Sequence, residues 1–442
     1  MANNDKEKKK KTKKKMKLKT KRKIKIAILI LEGLILALFA GMMIFYIWYS
    51  GQSADAKSEF KKNMLTEFTQ CSVGRSIISC STKGLYEDKV MDKDFNKDNV
   101  VKNEGLKETD EKYLNIALFG IDARGTEFDN ATHSDTIIVV NVNMKTKEVK
   151  MVSVYRDTML EISDLNGNVM YGKANLGFFR GGAEGAINML NTNLDLDITD
   201  YAVVNFSGLI KIIDALGGID TTITEKEREY INGYMTETRK ITGMDAPDLT
   251  TSGQVHLNGL QATAYCRIRY TTYYAPDGKE YSYDLGRTAR QRFVLEQLFS
   301  KAKQAGASEI VNIANSIINY NTENERIVKT SLTFDEIMDL IPIVIEMNIS
   351  GNTGFPFTLS APTIDGQSYV VANGLEYNVG KLHEYLFEDE KYEATDTVKE
   401  ISEYIKNYSG CDTQMLPEDL EKETEEDSTG QSNSEQNTEM SN

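Results

Sequence analysis

The sequence predicts an α/β layered domain preceded by one N-terminal transmembrane helix. After residue 112, short apolar runs typical of buried strands alternate with segments of helical periodicity. This alternation is typical of a sheet covered by helices. Near the start, one long apolar run follows a basic stretch. With 442 residues, the chain is long enough to form one sizeable core or two modest ones.

The N-terminal segment has the pattern of a membrane anchor. Residues 1–25 contain fourteen Lys or Arg and two acidic residues, and residues 26–49 form an apolar run interrupted only by Glu32. About 20 apolar residues suffice to cross a bilayer, and basic residues favour the cytoplasmic side. The run ends in aromatic residues that suit the outer interface: Phe45, Tyr46, Trp48 and Tyr49. We therefore predict a cytoplasmic tail 1–25, a single-pass helix 26–49 in the cell membrane, and an extracytoplasmic domain.

The charge balance beyond the membrane argues against nucleic-acid binding. The whole chain carries −14 and residues 1–25 carry +12 (fourteen basic minus two acidic), which leaves −26 for the rest.

The four cysteines lack metal-ligand spacing, so we expect no zinc site. On the outer side Cys71 and Cys80 are placed to form a local disulfide. If both pairs form, Cys266 and Cys411 are the remaining pair.

The predicted elements extend from a polar stalk to an acidic tail. Residues 50–112 are polar, and we interpret them as an extracytoplasmic stalk with some helix at about 54–69. Apolar runs then predict strands 113–121, 136–142, 149–155, 201–206 and 219–223. Helical periodicity predicts helices 182–192, 207–216, 284–305 and about 333–347. Residues 412–442 contain too little apolar surface to fold and are predicted to be disordered.

Arginine is concentrated in one short stretch. Five of the twelve arginines after the anchor fall within 26 residues: Arg267, Arg269, Arg287, Arg290 and Arg292. On a strand, Arg267 and Arg269 would point the same way. At the start of a helix, Arg287 and Arg290 would share a face beside the positive end of the helix dipole. Forked guanidinium groups in this arrangement favour a phosphate or pyrophosphate ligand. The alternative is that Arg287, Arg290 and Arg292 are solvated charges on the surface of the helix.

Further polar residues lie at the ends of the predicted strands, where sites in α/β domains usually form. Asp122 and Arg124 follow the first strand, and Asp135 precedes the second. Four more follow the third strand: Arg156, Asp157, Lys173 and Asn175. Asp122 and Asp135 are suited to bind one Mg²⁺ that also contacts phosphate oxygens. Alternatively, each is a turn residue or a helix cap.

Seven ordered motifs resemble those of the LytR-CpsA-Psr family, also known as the cell envelope-related transcriptional attenuator domain. They are NIALFGIDAR (115–124), HSDTIIVVNVN (133–143), VSVYRDT (152–158), KAN (173–175), VNFSGLIKIIDALGGID (204–220), LNGLQATAYCRIRY (257–270) and DLGRTARQ (284–291). Together with the terminal NGLEYNVGKLHEYLF, they delimit a predicted catalytic domain of 113–390. A single RxR or GRxxRQ motif would be weak evidence, whereas this ordered set is specific.

The resemblance implies an α/β/α sandwich with a central mixed sheet and an apolar channel for a polyprenyl chain. It implies Asp122 and Asp135 as the Mg²⁺ ligands. The residues around the lipid pyrophosphate would be Arg124, Arg156, Arg267, Arg269 and Arg287. Other substrate contacts would come from Lys173, Asn175, Arg290 and Gln291. Either Asp135 or Asp157 would act as general base.

The activity implied by the resemblance is a Mg²⁺-assisted phosphotransferase. It would move a polyprenyl-pyrophosphate-linked glycopolymer, such as teichoic acid or capsular polysaccharide, onto a peptidoglycan hydroxyl. Two alternatives stay open. With water as the acceptor, the same site would be a lipid pyrophosphatase. Without turnover, the protein would be an envelope regulator or a binding scaffold.

Two features depart from the family pattern. His133 stands where the family usually has Arg, which weakens that corner of the anion site and the assignment of Asp135. Seventeen residues separate Arg269 from Arg287, a longer interval than is usual for the family. This insert holds five tyrosines: Tyr270, Tyr273, Tyr274, Tyr281 and Tyr283. They either stack on sugar rings or pack as an ordinary surface loop.

Overall fold

The computed structural model describes residues 83–106, 112–123, 128, 132–164, 167–275, 278–305, 307–322 and 326–411. The predictions for residues 1–25, 26–49, 54–69 and 412–442 lie outside this part of the chain, as do Cys71 and Cys80. Within the described ranges, no helix combines the length and the apolar character needed to cross a membrane.

A mixed six-stranded sheet forms the centre of the domain, which confirms the predicted sheet type. Its order is β11–β6–β1–β2–β3–β12, where β1 (Tyr113–Ile121) pairs in parallel with β6 (Asp200–Asn205). A second parallel pair joins β3 (Glu148–Val154) to β12 (Asn348–Phe355), and the other neighbours are antiparallel. The other strands are β2 (Ser134–Asn143), β4 (Met159–Ser163), β5 (Val169–Lys173), β7 (Ile219–Ile223), β8 (Gly253–Leu257), β9 (Tyr273–Tyr274), β10 (Glu280–Tyr281), β11 (Val328–Thr330), β13 (Leu359–Ser360), β14 (Thr363–Ile364), β15 (Gln367–Ser368) and β16 (Val371–Ala372).

Helices cover both faces of this sheet. They are α1 (Asn175–Leu194), α2 (Phe206–Ala215), α3 (Glu225–Thr242), α4 (Gly259–Tyr265), α5 (Tyr283–Ala305), α6 (Ala307–Tyr320), α7 (Phe334–Glu346), α8 (Leu375–Phe387) and α9 (Asp396–Ser409). On one face of β2, Ile137 and Val139 belong to a hydrophobic cluster that includes residues of α1, α8 and α9. The opposite face packs Ile138 and Val140 against α5 and α7. Because both faces are covered, the central strands have nearly continuous apolar sequences.

One predicted helix boundary is wrong. Helix 182–192 was expected to begin at the Gly-Gly pair, but α1 begins at Asn175 and continues through it. The helix is kinked at Gly181 and Gly182, where Gly182 has a φ of +60°. A positive φ is accessible to glycine at low cost, so the pair bends the helix rather than starting it.

The folded domain extends beyond the predicted limits 113–390. On the N-terminal side, Tyr86 and Val90 are buried in a cluster with Phe334, so this part of the predicted stalk packs on the domain. On the C-terminal side, α9 buries Val398, Ile401 and Ile405. Both segments are polar sequences with only a few apolar side chains, which is why the sequence placed them outside the core.

The second possible cysteine pair is not formed in the structure. Cys266 is buried and Cys411 is partly buried, and both are free thiols. They pack against different hydrophobic clusters, Cys266 beside α4 and Cys411 beside α9.

Candidate active site

Polar residues from four strands meet at one edge of the central sheet. β1, β3 and β6 end at this edge, whereas β2 begins there because it runs antiparallel to β1 and β3. Asp122 directly follows β1, Asp135 is the second residue of β2, and Arg156 follows β3. Asn205 ends β6, and its side chain caps α2 by accepting a hydrogen bond from the Gly208 N–H at 2.9 Å. The sheet topology therefore brings together residues that are distant in sequence.

A cavity of about 470 Å³ opens beside these residues. Along α5, its lining changes from Arg287 and Gln291 to Val294 and Leu298, and along β1 it changes from Asp122 to Leu118. The apolar part lies between the sheet and the helices α2 and α5, and includes Ile138, Val204, Leu209 and Ile212. A cavity that is polar at the sheet edge and apolar further in suits a ligand with a charged head and an apolar chain.

Three guanidinium groups converge on two carboxylates at the polar end. Arg156 Nη1 lies 2.8 Å from Asp135 Oδ1, and Arg287 Nη2 lies 2.9 Å from Asp284 Oδ1. Arg269 Nε lies 3.7 Å from the same Asp284 oxygen. Arg287 Nη2 also donates to the Asp135 main-chain oxygen at 3.3 Å. Asp284, at the start of α5, was not predicted as a site residue, although it begins the DLGRTARQ motif.

The arginines set the charge state of this cluster. Burial alone would raise the pKa of Asp135, but Arg156, Arg287 and Arg269 lower it further than burial raises it, and the net shift is downward. Burial lowers the pKa of Arg287 to about 10, and the nearby Arg156 and Arg269 act in the same direction. Asp135 is therefore ionised and Arg287 charged at neutral pH. The alternative that Arg287 is a solvated helix charge is wrong, since its side chain is only 3% exposed.

Arg267 and Arg269 line the cavity, but neither lies on a strand. They follow α4, whose N-cap Asn258 forms a reciprocal capping box with Gln261. Every residue of this seven-residue helix is buried, so its sequence has the apolar character of a strand. Arg267 is bound by α3, with Nη2 2.6 Å from Glu237 Oε2 and Nη1 2.8 Å from Thr238 Oγ1.

Arg290 lies in the core instead of lining the cavity. Its side chain is 0% exposed, and its Nη2 lies 2.8 Å from Glu227 Oε1. The same guanidinium donates to the main-chain oxygens of Thr271 and Thr272, and it lies 5.3 Å from the centre of the Tyr273 ring. Arg290 therefore links α5 to α3 and to the tyrosine-rich insert, and its positive charge is not available to a ligand.

The neighbouring motif residues take different positions. Gln291 lines the cavity and donates from Nε2 to the Cys266 oxygen at 3.3 Å. Arg292 is buried and donates from Nε to Asn352 Oδ1 at 3.0 Å. Neither Arg290 nor Arg292 is thus a solvated helix charge. Arg124 lies outside the described residues.

A second, polar cavity adjoins the first and contains the candidate metal ligands. It is lined by Asp122, Thr132, His133, Asp135, Arg156 and Asn175. Within the described ranges, no group of three or more His, Cys, Asp or Glu is placed to hold a metal. Two carboxylates on one polar cavity nevertheless fit Mg²⁺, which usually takes one or two carboxylates and completes its shell with water and phosphate. His133, which stands where the family usually has Arg, stacks on Phe179 with ring centres 4.7 Å apart.

Lys173 and Asp157 form an ion pair beside the arginines. Lys173 Nζ lies 2.9 Å from Asp157 Oδ1, and Arg156 Nε lies 3.4 Å from Asp157 Oδ2. This places Asp157 at the boundary between the arginine cluster and the β4–β5 hairpin.

The tyrosine insert forms a small hairpin whose residues divide into two groups. Tyr273 is buried beside Arg290, which is ordinary packing. The rings of Tyr270, Tyr274 and Tyr283 are about 60% exposed, at 59%, 61% and 59%. Tyr270 also lines the main cavity. Packing therefore accounts for Tyr273, whereas stacking on sugar rings stays a prediction for the three exposed tyrosines.

Comparison with known proteins identifies the family. The sequence model of the LytR_cpsA_psr family matches residues 78–380, which is more than half of the chain. The chain belongs to this family. The match confirms the LytR-CpsA-Psr resemblance of the motifs, and its start at residue 78 agrees with the packing of Tyr86 and Val90 on the domain.

Two known proteins are similar in sequence to part of this chain. Biofilm regulatory protein A of Streptococcus mutans is 34% identical over 205 residues, which are 43% of this chain and 45% of that protein. The alignment thus spans less than half the length of that relative. The polyisoprenyl-teichoic acid–peptidoglycan teichoic acid transferase TagU of Enterococcus faecalis is 31% identical over 258 residues, covering 57% of this chain and 73% of TagU.

A solved structure agrees with the fold. The crystal structure of protein gbs0355 from Streptococcus agalactiae superposes with a TM-score of 0.51 at 23% identity. The superposition covers 68% of this chain and 95% of gbs0355. This likeness shows a shared fold and carries no information on substrate.

Proposed function

We propose that the protein is a phosphotransferase that moves a glycopolymer from a polyprenyl pyrophosphate carrier to a hydroxyl of peptidoglycan. The observation that carries the proposal is the convergence of Arg156, Arg269 and Arg287 at the polar end of an otherwise apolar cavity. The name of the TagU relative describes the same donor and acceptor. Teichoic acid and capsular polysaccharide are the candidate polymers.

The cavity accounts for both parts of the lipid donor. The apolar lining between the sheet and α5 suits the polyprenyl chain, while the guanidinium groups suit the pyrophosphate. Arg287 Nε is buried and has no hydrogen-bond partner among the described residues. An unsatisfied buried donor costs free energy, and a phosphate oxygen is the kind of acceptor that would relieve this cost.

In the proposed reaction, the acceptor hydroxyl oxygen forms a bond to the phosphorus nearest the sugar. The bond from this phosphorus to the bridging oxygen breaks, and polyprenyl phosphate leaves with the electron pair. Arg156, Arg269 and Arg287 would stabilise the negative charge that develops on the phosphoryl oxygens. Arg267, held by α3, and Gln291 would orient the donor at the cavity wall.

The acceptor proton needs a base, and Asp157 is the better candidate. The lowered pKa of Asp135 makes it a weak base, and its Oδ1 is bound by Arg156. Asp157 also has basic partners, Arg156 Nε at 3.4 Å and Lys173 Nζ at 2.9 Å, but Lys173 lies on β5 at the edge of the arginine cluster. Lys173 and Asn175 would then contact the acceptor or the transferred phosphate.

Mg²⁺ is proposed to bind Asp122 and Asp135. Among the described residues, five basic side chains at the site (Arg156, Lys173, Arg267, Arg269 and Arg287) are balanced by five acidic ones (Asp122, Asp135, Asp157, Glu237 and Asp284). A pyrophosphate adds negative charge to this balanced set. When bound, Mg²⁺ would supply positive charge to the phosphate oxygens and offset the two carboxylates.

The proposed location is the outer surface of the cell membrane, with residues 26–49 as the anchor and residues 1–25 in the cytoplasm. The support is the basic run followed by the apolar run. External protease should remove the large domain from intact cells and leave a fragment of about the first fifty residues. Protection of the large domain would show that this orientation is wrong.

The decisive experiment separates lipid binding from transfer. Lysine keeps the charge of arginine but cannot hold two phosphate oxygens with one planar fork. We expect Arg269→Lys and Arg287→Lys to retain lipid-pyrophosphate binding and to lose ~10²–10³ in transfer rate. The full-length protein is assayed with lipid-linked glycan and peptidoglycan oligomers, and the products are identified by mass spectrometry.

Controls make the result interpretable. Arg239→Lys alters an arginine that pairs with Asp245 and Asp248, away from the cavity, and should transfer at the wild-type rate. Thermal unfolding confirms that each variant is folded. Wild-type transfer by both site variants would remove the main support for the proposal. Release of free glycopolymer phosphate without transfer would identify a lipid pyrophosphatase.

A further inference from the structure

Four surface tyrosines form a cluster that we call the tyrosine ladder: Tyr171, Tyr369, Tyr404 and Tyr408. Tyr171 lies on β5, whereas Tyr404 and Tyr408 lie on α9. The rings of Tyr171 and Tyr404 are 3.8 Å apart between centres, with 19° between their planes. Those of Tyr404 and Tyr408 are 6.0 Å apart and inclined by 12°, and the ring of Tyr369 lies beside Lys173 of β5. The cluster therefore includes three rings with nearly parallel planes.

The two tyrosines of the ladder on α9 are exposed, although other side chains of this helix attach it to the domain. α9 is anchored by Val398, Ile401 and Ile405, each at most 2% exposed. Tyr404 and Tyr408, however, are 45% and 48% exposed. Contiguous exposed apolar surface is typical of interaction sites, whereas single exposed apolar residues need no explanation.

The ladder is continuous with the candidate active site. Lys173 lies two residues after Tyr171 on β5, so both side chains emerge from the same face of the hairpin. Lys173 Nζ lies 5.5 Å from the centre of the Tyr369 ring and 2.9 Å from Asp157 Oδ1. The Val370 N–H donates to the main-chain oxygen of Asp157 at 2.9 Å. A ligand on the ladder would therefore end beside Asp157.

The polar groups around the ladder favour an uncharged ligand. Tyr171 donates its hydroxyl to Glu161 Oε2 at 2.8 Å, and Tyr408 donates its hydroxyl to Asp365 Oδ2 at 3.1 Å. These carboxylates would repel a polyanionic chain such as a teichoic acid. They would accept hydrogen bonds from sugar hydroxyl and amide groups. The apolar C–H faces of pyranose rings suit tyrosine ring faces.

We propose that the tyrosine ladder binds the glycan strand of peptidoglycan and directs its reactive hydroxyl to Asp157. This inference rests on the proposed function, because it identifies where the acceptor of that reaction binds. Donor and acceptor would then approach from opposite sides. The anionic donor occupies the arginine cluster and the apolar cavity, and the acceptor strand occupies the ladder on the β4–β5 and α9 side.

The test measures binding of the full-length protein to purified peptidoglycan sacculi stripped of wall polymers. Two ring contacts of ordinary strength predict about tenfold weaker sacculus binding for the double variant Tyr404→Ser/Tyr408→Ser. The KM for peptidoglycan oligomers should rise by a similar factor, with kcat and the affinity for lipid pyrophosphate unchanged. Tyr404→Phe/Tyr408→Phe keeps the rings and should bind within about threefold of wild type.

A matched control and a separate readout keep the outcomes distinct. Tyr320→Ser alters a tyrosine on α6 that is 43% exposed and lies outside the ladder, and should bind sacculi normally. Equal sacculus binding by the double Ser variant and wild type overturns the ladder, whether or not the protein transfers polymer. Weakened donor binding in the double Ser variant also overturns it, because the ladder would then contact the transferred chain. Sacculus binding is independent of turnover, so failure of the transferase proposal would not be mistaken for failure of the ladder.

Discussion

Arg287 and Arg290 lie three residues apart on α5 and have different electrostatic surroundings. Arg287 lies between Asp284 and the main chain of Asp135 at the cavity wall. Arg290 is enclosed by Glu227 and main-chain oxygens in the core. Spacing alone predicts that both share one face, but it cannot tell which residue the neighbouring helix α3 will cover. One arginine is therefore available to a ligand and the other maintains the fold.

Replacing Arg290 should destabilise the protein. Arg290→Met leaves Glu227 buried without its charged partner, and removal of one partner of a buried pair typically costs ~3–5 kcal/mol. We expect the free energy of unfolding, measured by urea denaturation, to fall by about this amount. Arg269→Lys retains a charge at a 31% exposed site and should change stability by less than ~0.5 kcal/mol. Equal stability of the two variants would contradict the core position of Arg290.

The two candidate metal ligands lead to a second prediction at the residue level. Asp122→Ala and Asp135→Ala should each reduce Mg²⁺ affinity, and each should reduce transfer by ~10²-fold or more, since phosphate charge would lose its divalent partner. Isothermal titration with Mg²⁺ measures binding, and the transfer assay is repeated in the presence of a chelator. Full turnover in the chelator would show that transfer does not require Mg²⁺, and the arginine cluster would remain as the basis of catalysis.

At the scale of elements, the width of the apolar cavity depends on how closely α2 approaches the sheet. Gly208 lies in the first turn of α2, and a Cβ at this position would stand 2.2 Å from the Ile327 main-chain oxygen. The following residues Leu209 and Ile212 line the cavity. A side chain at Gly208 would therefore displace a cavity wall.

Gly208→Ala should destabilise the protein by ~1–3 kcal/mol, because backbone must move to admit the methyl group. It should also weaken binding of the apolar lipid chain. Gly233→Ala is the matched control, since Gly233 is inside α3 and a Cβ there meets nothing within 4 Å. This variant should be stabilised by up to ~1 kcal/mol, as expected for alanine in a helix. Urea denaturation of both variants measures the difference, and the reverse order would contradict the close approach of α2.

Helices and strands were predicted correctly where most of their side chains are buried, and were missed where most are polar. The central strands β1, β2, β3 and β6 were found because coverage on both faces makes them apolar throughout. α3 was missed because its eighteen residues are mostly polar and only four are buried: Glu227, Ile231, Met235 and Thr238. Its capping box, Thr224 with Glu227, was the available signal. β12 was missed because the sequence NISGNTGF contains few apolar residues.

The site was predictable to the extent that it lies at strand ends. Asp122, Asp135 and Arg156 follow from the order of the strands, because parallel and antiparallel pairing brings these ends to one edge. The partners of the arginines were not predictable. Asp284 pairs with Arg287 within one helical turn, but its approach to Arg269 depends on the path of the insert. Tertiary packing, and not local pattern, determines these contacts.

At the scale of the whole molecule, one buried carboxylate joins distant parts of the chain. Asp195, 1% exposed, accepts hydrogen bonds from Asn103 Nδ2 at 2.6 Å and from the Thr395 N–H at 2.8 Å. Tyr392 also donates its hydroxyl to Asp195. The ring of Tyr392 stacks on His383, with centres 3.6 Å apart. The segment around Asn103, the end of α1, and the segments around α8 and α9 therefore meet in one polar cluster.

The stability of this cluster should depend on pH through His383. Burial lowers the pKa of His383 below its ordinary value of 6.5, although the Leu194 oxygen, Asp195 and Asp389 oppose the shift. In the unfolded chain His383 binds a proton near pH 6.5, whereas in the folded protein it stays neutral to a lower pH. The contribution of neutral His383 to the free energy of unfolding is therefore complete above pH 6.5 and is lost as the pH falls below this value. A single proton limits this slope to about 1.4 kcal/mol per pH unit.

His383→Gln tests the origin of this dependence. Glutamine can donate the hydrogen bond that His383 Nε2 makes to the Leu194 oxygen at 3.0 Å, but it does not titrate. We expect the free energy of unfolding of wild type to decrease between pH 7 and pH 5, and the variant to lose less stability over the same range. Urea denaturation at half-unit intervals of pH measures both slopes. Identical slopes would assign the acid sensitivity to groups other than His383, whereas a shallower slope in the variant would attribute it to the histidine packed against the Asp195 cluster.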